Sequence, residues 1–387
     1  MTFSLTFKHK KGVSEDVKDD SIVLEIKDIA RGGSGVSRDA SGRVVFVPKT
    51  APGDRVRVRI IEEEKKYAQG ELLEILDSSP VRQKPRCPAF GSCGGCTWQH
   101  LPYELQWKTK SSGVQHALSR VKIELPSSFE EHPAERIWEY RNRVQLRGEG
   151  SRIGFHAAGS RDLVPVNRCD IARPEINSAW ETLREEGSRL PKPYKVEVAV
   201  EETGAIRKVW NSRHGAAGFR QIHDDQNAKL RNWIANTITS DPQRVLFDLF
   251  GGSGNLSLGL AARFAEIHCV DFSAPSVRPE GVPSHFHFHR AGVGEWLART
   301  RNRVFPCAGR SAILDPPREG LADRFSEIEE AICRMNVDEL VAVGCDPDAW
   351  ARDVSRFIRR SWRLKAVALF DFFPQTPHIE SAALLVR

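Results

Sequence analysis

Apolar and polar residues change rhythm three times along the chain. Over residues 14–78, short apolar runs (SIVLEI, RVVFVP, RVRVRI) are separated by the turn-forming stretches RGGSG, ASG and APGD. Strict alternation in Arg55-Val56-Arg57-Val58-Arg59-Ile60 predicts a strand with three arginines on one face. The length and turn density suit a five-stranded barrel of the oligonucleotide-binding type. Residues 79–98, rich in Pro, Gly and Cys, read as constrained loop. A helix is predicted over about 102–121. Mixed short strands (NRVQLRGEG, RIGFHAAG, KVEVAVEE, AIRKVWN) then predict a second β-rich region up to about 215, and a helix over 224–237 follows.

From Val245 onward the runs VLFDLF, EIHCVDFS, SAILDPP, LVAVGCDP and WRLKAVALFDFF alternate with helical patterns, the first of them NLSLGLAARF. Strands alternating with helices predict a mostly parallel α/β sheet. The expected organisation is thus a barrel over 14–78, a central β-rich domain over 79–215 and a Rossmann-like α/β domain over 216–387. The segment at about 101–121 is expected to pack on the last of these.

Composition narrows the class. The 387 residues are 40% apolar and 28% charged, and 57 Lys and Arg against 51 Asp and Glu give a net charge of +6. No run approaches the roughly 20 apolar residues that span a bilayer, and the opening MTFSLTFKHKKG does not read as a signal peptide. A cytoplasmic protein is expected, with no membrane partner. Mild basicity permits a nucleic-acid partner, and Arg31, Arg38, Lys49, Arg55, Arg57 and Arg59 favour one over a merely solvated strand surface.

Three of eight cysteines crowd into C-x5-C-G-G-C: Cys87, Cys93 and Cys96. That clustering suggests a metal or iron–sulfur site rather than a disulfide scaffold. Gly94 and Gly95 let the backbone wrap closely, and Cys169 in VPVNRCD is the best-placed fourth thiolate. Four sulfurs suit zinc as well as iron–sulfur, and spacing alone leaves both open.

The strand–turn–helix segment Asp248-Leu249-Phe250-Gly251-Gly252-Ser253-Gly254-Asn255 predicts a cofactor crevice at a strand's carboxyl end. No GK[ST] follows, which excludes a P-loop. Asp248 ahead of the glycines disfavours a pyrophosphate and suits a cation such as the sulfonium of S-adenosyl-L-methionine. Asp271 ends the next strand, placed to accept from ribose hydroxyls. Asp315, in Asp-Pro-Pro-Arg, points toward the same crevice. Cys345 lies just beyond an apolar run, and Glu380 closes the proline-braced FPQTPHIE.

Taken together, CPAFGSCGGC with Cys169, DLFGGSGNLSL, LDPPREG, GCDP…ARD and FPQTPHIE resemble the bacterial RNA 5-methyluridine methyltransferases, in particular the 23S rRNA (uracil-5-)-methyltransferases with a TRAM domain and a [4Fe–4S] cluster. That resemblance implies S-adenosyl-L-methionine and a [4Fe–4S] cluster as cofactors and 23S rRNA as partner. It implies Cys345 as nucleophile, Glu380 as base, Asp315 at the uracil edge, Gln221 at the cofactor and Arg318 at a phosphate or loop. Aromatic side chains near the cysteines, Phe90 and Trp98, could stack on bases or pack in a core.

Departures from the family pattern are local. Gly344-Cys345-Asp346-Pro347 stands where Ser-Cys-Asn-Pro is usual, and Asp346 would raise the thiol's pKa unless turned away. The stretch after Asp271 has three prolines and lacks the expected helix, and Arg290-Ala291-Gly292 stands where an acidic residue would meet the adenine, with only Glu295 nearby. These features keep a second reading open: an RNA-binding homologue of the same fold whose remodelled cofactor pocket has weakened, altered or lost the transfer.

Overall fold

In the computed structural model, residues 21–387 are described apart from 192, 202, 213–220, 306 and 308. The expected domain boundaries at 14 and at 215–216 lie outside the described residues.

Strands β1 (Ser21–Glu25), β2 (Asp28–Ile29), β3 (Gly35–Arg38), β4 (Val44–Val47), β5 (Arg55–Glu63) and β6 (Tyr67–Asp77) form one sheet in the order β1-β5-β6-β4-β3-β2. Its pairs are antiparallel except β4 with β6. Register shifts along β5 and β6 bend the sheet, so it curls over Leu24, Val45, Val47, Val56, Val58 and Ala68. Six curled strands thus replace the expected five-stranded barrel.

Helix α1 (Tyr103–Arg120) and strand β7 (Ser128–His132) follow. Next, β8 (Arg143–Glu149), β9 (Arg152–His156) and β10 (Leu163–Pro165) precede helices α2 (Pro174–Ser178) and α3 (Trp180–Ser188), then β11 (Tyr194–Val200) and β12 (Ile206–Trp210). These five strands make an antiparallel sheet ordered β10-β9-β8-β11-β12. Ile176, Trp180 and Leu183 of the two helices cover it, adding a helical layer to the predicted strands.

The remaining chain runs α4 (Asp224–Thr237), β13 (Asp241–Leu249), β14 (Phe264–Asp271), β15 (Phe286–Arg290), α5 (Val293–Arg299), β16 (Gly309–Leu314), α6 (Phe325–Arg334), β17 (Glu339–Gly344), α7 (Pro347–Arg359), β18 (Arg363–Phe370) and β19 (Glu380–Val386). With β7 these form an eight-stranded mixed sheet, β15-β14-β13-β16-β17-β19-β18-β7. The first five are parallel, as the alternation of strand and helix predicts. Along β13, alternate residues face opposite cores. Val245, Phe247 and Leu249 join α1, α5, α6 and α7, whereas Leu246 joins α4.

Two connections differ from the predicted pattern. NLSLGLAARF makes only a 3-10 turn, Leu258–Arg263, before β14 begins at Phe264. Gly259 lies in that turn, and a Cβ there would stand 2.9 Å from the Arg231 guanidinium, so glycine weakens the helix while permitting the close approach. No helix joins β14 to β15, in keeping with the prolines of that stretch. Strand order reverses between β13 and β16, and an open α/β sheet binds ligands in the crevice beyond such a reversal.

Candidate active site

The crevice starts where β13 ends. Phe250 takes φ +67° and donates its N–H to the Val270 carbonyl at 2.9 Å, turning the chain back across β14. A Cβ on Gly251 would lie 2.5 Å from the Asp248 carboxylate and 2.7 Å from Cys269 Sγ, so only glycine fits. Gly252 and Gly254 also take positive φ, +57° and +83°. Asp248 is fully buried beneath this loop. Ser257 Oγ donates to its Oδ2 at 2.5 Å, and its Oδ1 has no partner among the described residues. Asn255 exchanges amide hydrogen bonds of 2.9 Å with Asn227, tying the loop to α4. Asp271 Oδ1 accepts from the Ser273 N–H and hydroxyl, both at 2.6 Å. Gln221 is buried just ahead of α4, its carbonyl accepting from Asn142 at 2.9 Å.

Register brings the reacting groups to the same end of the sheet. Leu314 pairs with Leu249 and with Ala342, Gly344 pairs with Ser381, and Phe370 pairs with Glu380. Asp315, Cys345 and Glu380, separated by tens of residues in sequence, therefore meet at the carboxyl end of β16 and β17. Their charges act on one another. Burial, with the charges of Asp248 and Asp271, pushes Asp315 up to about 7. Burial raises Asp248 to about 6, with Asp271 adding to the shift. Glu380 is held well above the carboxylate range by burial and by Asp315, while the Arg318 guanidinium opposes both. Burial, Glu380 and Asp315 push the Cys345 thiol up to about 12, again against Arg318. Such a run of mutually repelling carboxyls favours a cationic ligand.

Asp346 is turned away from the thiol. Its Oδ1 caps α7 by accepting from the Asp348 and Ala349 N–H groups at 3.0 and 2.9 Å, and its other oxygen faces Arg31 at 3.7 Å. The Pro316–Leu321 loop carrying Arg318 is held by Asp353, which accepts from the Leu321 N–H at 2.7 Å. Asp353 belongs to the ARD stretch of the motif, yet its spacing alone gave no role.

Cys87, Cys93, Cys96 and Cys169 line one cavity of about 290 Å³ with Phe90, Arg141, Phe155 and Asp170. Burial raises all four thiols, Cys96 to about 12. The Gly95 N–H points at Cys93 Sγ, 3.4 Å away. Among the described residues no three or more His, Cys, Asp or Glu side chains are grouped so as to hold a metal ion. The expected iron–sulfur or zinc ligand set is therefore not seen as such; the four thiols surround a shared space. Phe90 packs at 5.6 Å from His100, and Trp98 is fully buried with its Nε1 donating to Gly33 at 3.0 Å, which makes Trp98 a packing residue.

Of the cations expected at nucleic acid, Arg55, Arg57 and Arg59 pair across the strands with Asp77, Glu74 and Glu71. Arg38 donates to the Gly42 carbonyl at 2.7 Å. Arg31 pairs with Asp348, and Lys49 Nζ donates to Gly91 at 2.6 Å, so these two bind the curled sheet to the rest of the chain. Arg318 is exposed beside Cys345. Among the described residues no helix is long and apolar enough to cross a membrane.

Comparison with known proteins adds an independent line. The TRAM domain family matches residues 22–73, and the tRNA (uracil-5-)-methyltransferase family matches residues 304–387. A 23S rRNA (uracil(1939)-C(5))-methyltransferase of Chromohalobacter salexigens is 31% identical, over 94% of this chain and 89% of its own. An uncharacterized RNA methyltransferase of Bdellovibrio bacteriovorus is 27% identical over 97% and 98% of the two chains. The structure of Pyrococcus abyssi tRNA (uracil-54, C5)-methyltransferase with S-adenosyl-L-homocysteine superposes with a TM-score of 0.70 at 21% identity, covering 94% of this chain and 99% of that one. The fold is shared along almost the whole length.

Proposed function

The chain belongs to the RNA (uracil-5-)-methyltransferases that carry a TRAM domain, and from that premise we propose that it methylates C5 of a uridine in 23S rRNA. One observation carries the reading: strand register gathers Asp315, Cys345 and Glu380 beside an acid-lined glycine loop. The choice of 23S rRNA over tRNA rests on the Chromohalobacter relative.

S-adenosyl-L-methionine fits the donor set. Among the described residues Asp248 Oδ1 has no partner. Burial pushes Asp248 and Asp315 up, with Asp271 adding to both shifts and Asp248 to that of Asp315. A sulfonium and an ammonium relieve that repulsion. Gln221, Phe250, Gly251, Gly252, Gly254, Asn255, Asp271 and Asp315 would hold this methyl donor, which supplies an electrophilic methyl group. Cys345, half-buried, gives up its thiol proton to solvent and as the thiolate adds through Sγ to C6 of the uracil; the ring electrons move to C5, which becomes nucleophilic enough to take the methyl. Asp315 holds the uracil edge of a base turned out of its stack. Glu380 acts in its carboxylate form, which Arg318 favours and which the raised pKa makes a stronger base, and then removes the C5 proton. The C–H electrons form the C5–C6 double bond, and the Cys345 thiolate leaves. Arg318, exposed beside Cys345, lowers the cost of the thiolate and would meet an RNA phosphate.

The cysteine cavity suits a [4Fe–4S] cluster by its four thiols, its volume and the Gly95 amide. A single zinc needs sulfurs about 4 Å apart around one centre, whereas a cluster distributes them one per iron. Cys87, Cys93, Cys96 and Cys169 would be its ligands, in a structural role. Visible absorbance of anaerobically prepared protein, lost on Cys96→Ala, is the expected signature.

An RNA carrying 5-fluorouridine tests the mechanism, because its C5 has no proton for Glu380 to take. A denaturation-resistant protein–RNA adduct through Cys345 is expected, and absence of the adduct contradicts the reading. A second reading, an RNA-binding homologue with weakened transfer, is favoured by the missing helix between β14 and β15. RNA binding without adduct formation would select it.

A further inference from the structure

Glu380 starts β19, and the segment 371–379 delivers it. That segment is held by a buried polar seam on α1. The Gln106 side chain is fully buried, with its Oε1 accepting from the Gln375 N–H at 2.9 Å. Its Nε2 lies 3.0 Å from Gln375 Oε1, 2.9 Å from the Leu101 carbonyl and 3.1 Å from that of Trp98. One turn on, Lys110 Nζ contacts Asp371 Oδ1 at 2.7 Å and the Phe373 carbonyl at 3.0 Å, both charged side chains being fully buried. Tyr103 donates to the other Asp371 oxygen at 3.0 Å, and Tyr140 to the Pro374 carbonyl at 3.1 Å.

The same segment is tied to the cysteine loop. The N–H groups of Thr97 and Trp98, next to Cys96, both donate to the Gln375 carbonyl at 3.0 Å. Gln375 itself takes φ +69°, a conformation that a non-glycine residue keeps only when its surroundings impose it. A buried ion pair is a poor way to gain stability compared with apolar packing of the same volume. What it supplies is a single geometry.

We propose that Gln106 and Lys110 are positioning residues for proton abstraction, fixing residues 371–379 so that the Glu380 carboxylate meets the uracil opposite Cys345. The inference rests on the functional reading above. Addition of Cys345 at C6 and methylation at C5 precede any need for Glu380. Only the last step, in which the C5 proton passes to Glu380 and the thiolate leaves, depends on where that carboxylate sits. Displacing it stalls the methylated adduct, whereas general loosening of the protein slows every step.

Single-turnover reactions of the full chain with S-adenosyl-L-methionine and uridine-containing rRNA separate these effects. Denaturation-resistant methylated protein–RNA adduct and released 5-methyluridine RNA are followed together. With Gln106→Leu, adduct is expected to form within about twofold of the wild-type rate and to resolve roughly tenfold more slowly or worse, the pattern of Glu380→Gln. Lys110→Met is expected to behave alike. If Gln106→Leu does not fold, Gln106→Glu, which keeps the shape and the acceptor but loses the donors, reads the same partition. Formation and resolution slowed together, or neither changed, overturns the proposal. Wild-type protein that forms neither adduct nor 5-methyluridine overturns the functional reading, and this proposal with it.

Discussion

Burial pushes Asp248 up to about 6 and Asp315 up to about 7, above the ordinary carboxylate value near 4. Between about pH 4 and 7 the native state therefore holds more protons than the unfolded state, and stability falls as pH rises through that window. Asp315→Asn is expected to flatten this fall, as chemical denaturation at several pH values would register. A cationic ligand meets the opposite trend, since each carboxyl that ionises adds attraction. Calorimetry should find S-adenosyl-L-methionine binding tighter at pH 8 than at pH 5.5, with a shallower rise for S-adenosyl-L-homocysteine, which lacks the sulfonium charge. Asp346 is a simpler case. As the cap of α7, its change to Ala should cost about 1 kcal/mol and its change to Asn almost nothing, read from denaturation midpoints.

At the scale of elements, the strands were the most legible part of the sequence. Alternation marked β5, and continuous apolar runs marked β13, β16 and β17 as buried on both faces. Strand β7, Ser-Phe-Glu-Glu-His, escaped because an edge strand with two acids lacks an apolar signature. The helix expected after the glycine loop failed at Gly259, where propensity is low and only a few residues precede β14. Asp315, Cys345 and Glu380 were individually visible by motif. The family resemblance implied that they share one site; the register of β19 between β17 and β18, which sets how they meet, was not legible, because pattern within a strand does not encode its partner. Gly251→Ala is expected to disrupt the glycine loop through contact with Asp248 and Cys269, costing about 1–3 kcal/mol and abolishing cofactor binding in a calorimetric titration. Replacing Arg55, Arg57 and Arg59 by Ala removes cations already paired with acids. RNA affinity in filter binding at physiological salt should fall by less than about tenfold.

Across the whole molecule, the three sheets are joined through polar contacts converging on the reactive edge. Arg31 reaches Asp346 and Asp348 beside Cys345, Trp98 reaches Gly33, and Gln375 receives the cysteine loop. None of these contacts could be read from spacing, since each joins residues far apart in the chain, through ion pairs or backbone carbonyls. The measurement that bears most directly on function is transfer of tritiated methyl from S-adenosyl-L-methionine to unmodified 23S rRNA, with tRNA in parallel and Cys345→Ala alongside. The expected result is incorporation into 23S rRNA by the wild type only, recovered as 5-methyluridine. Incorporation undiminished in Cys345→Ala, or none by folded wild-type protein that binds the RNA, would contradict a uridine C5-methyltransferase working through Cys345.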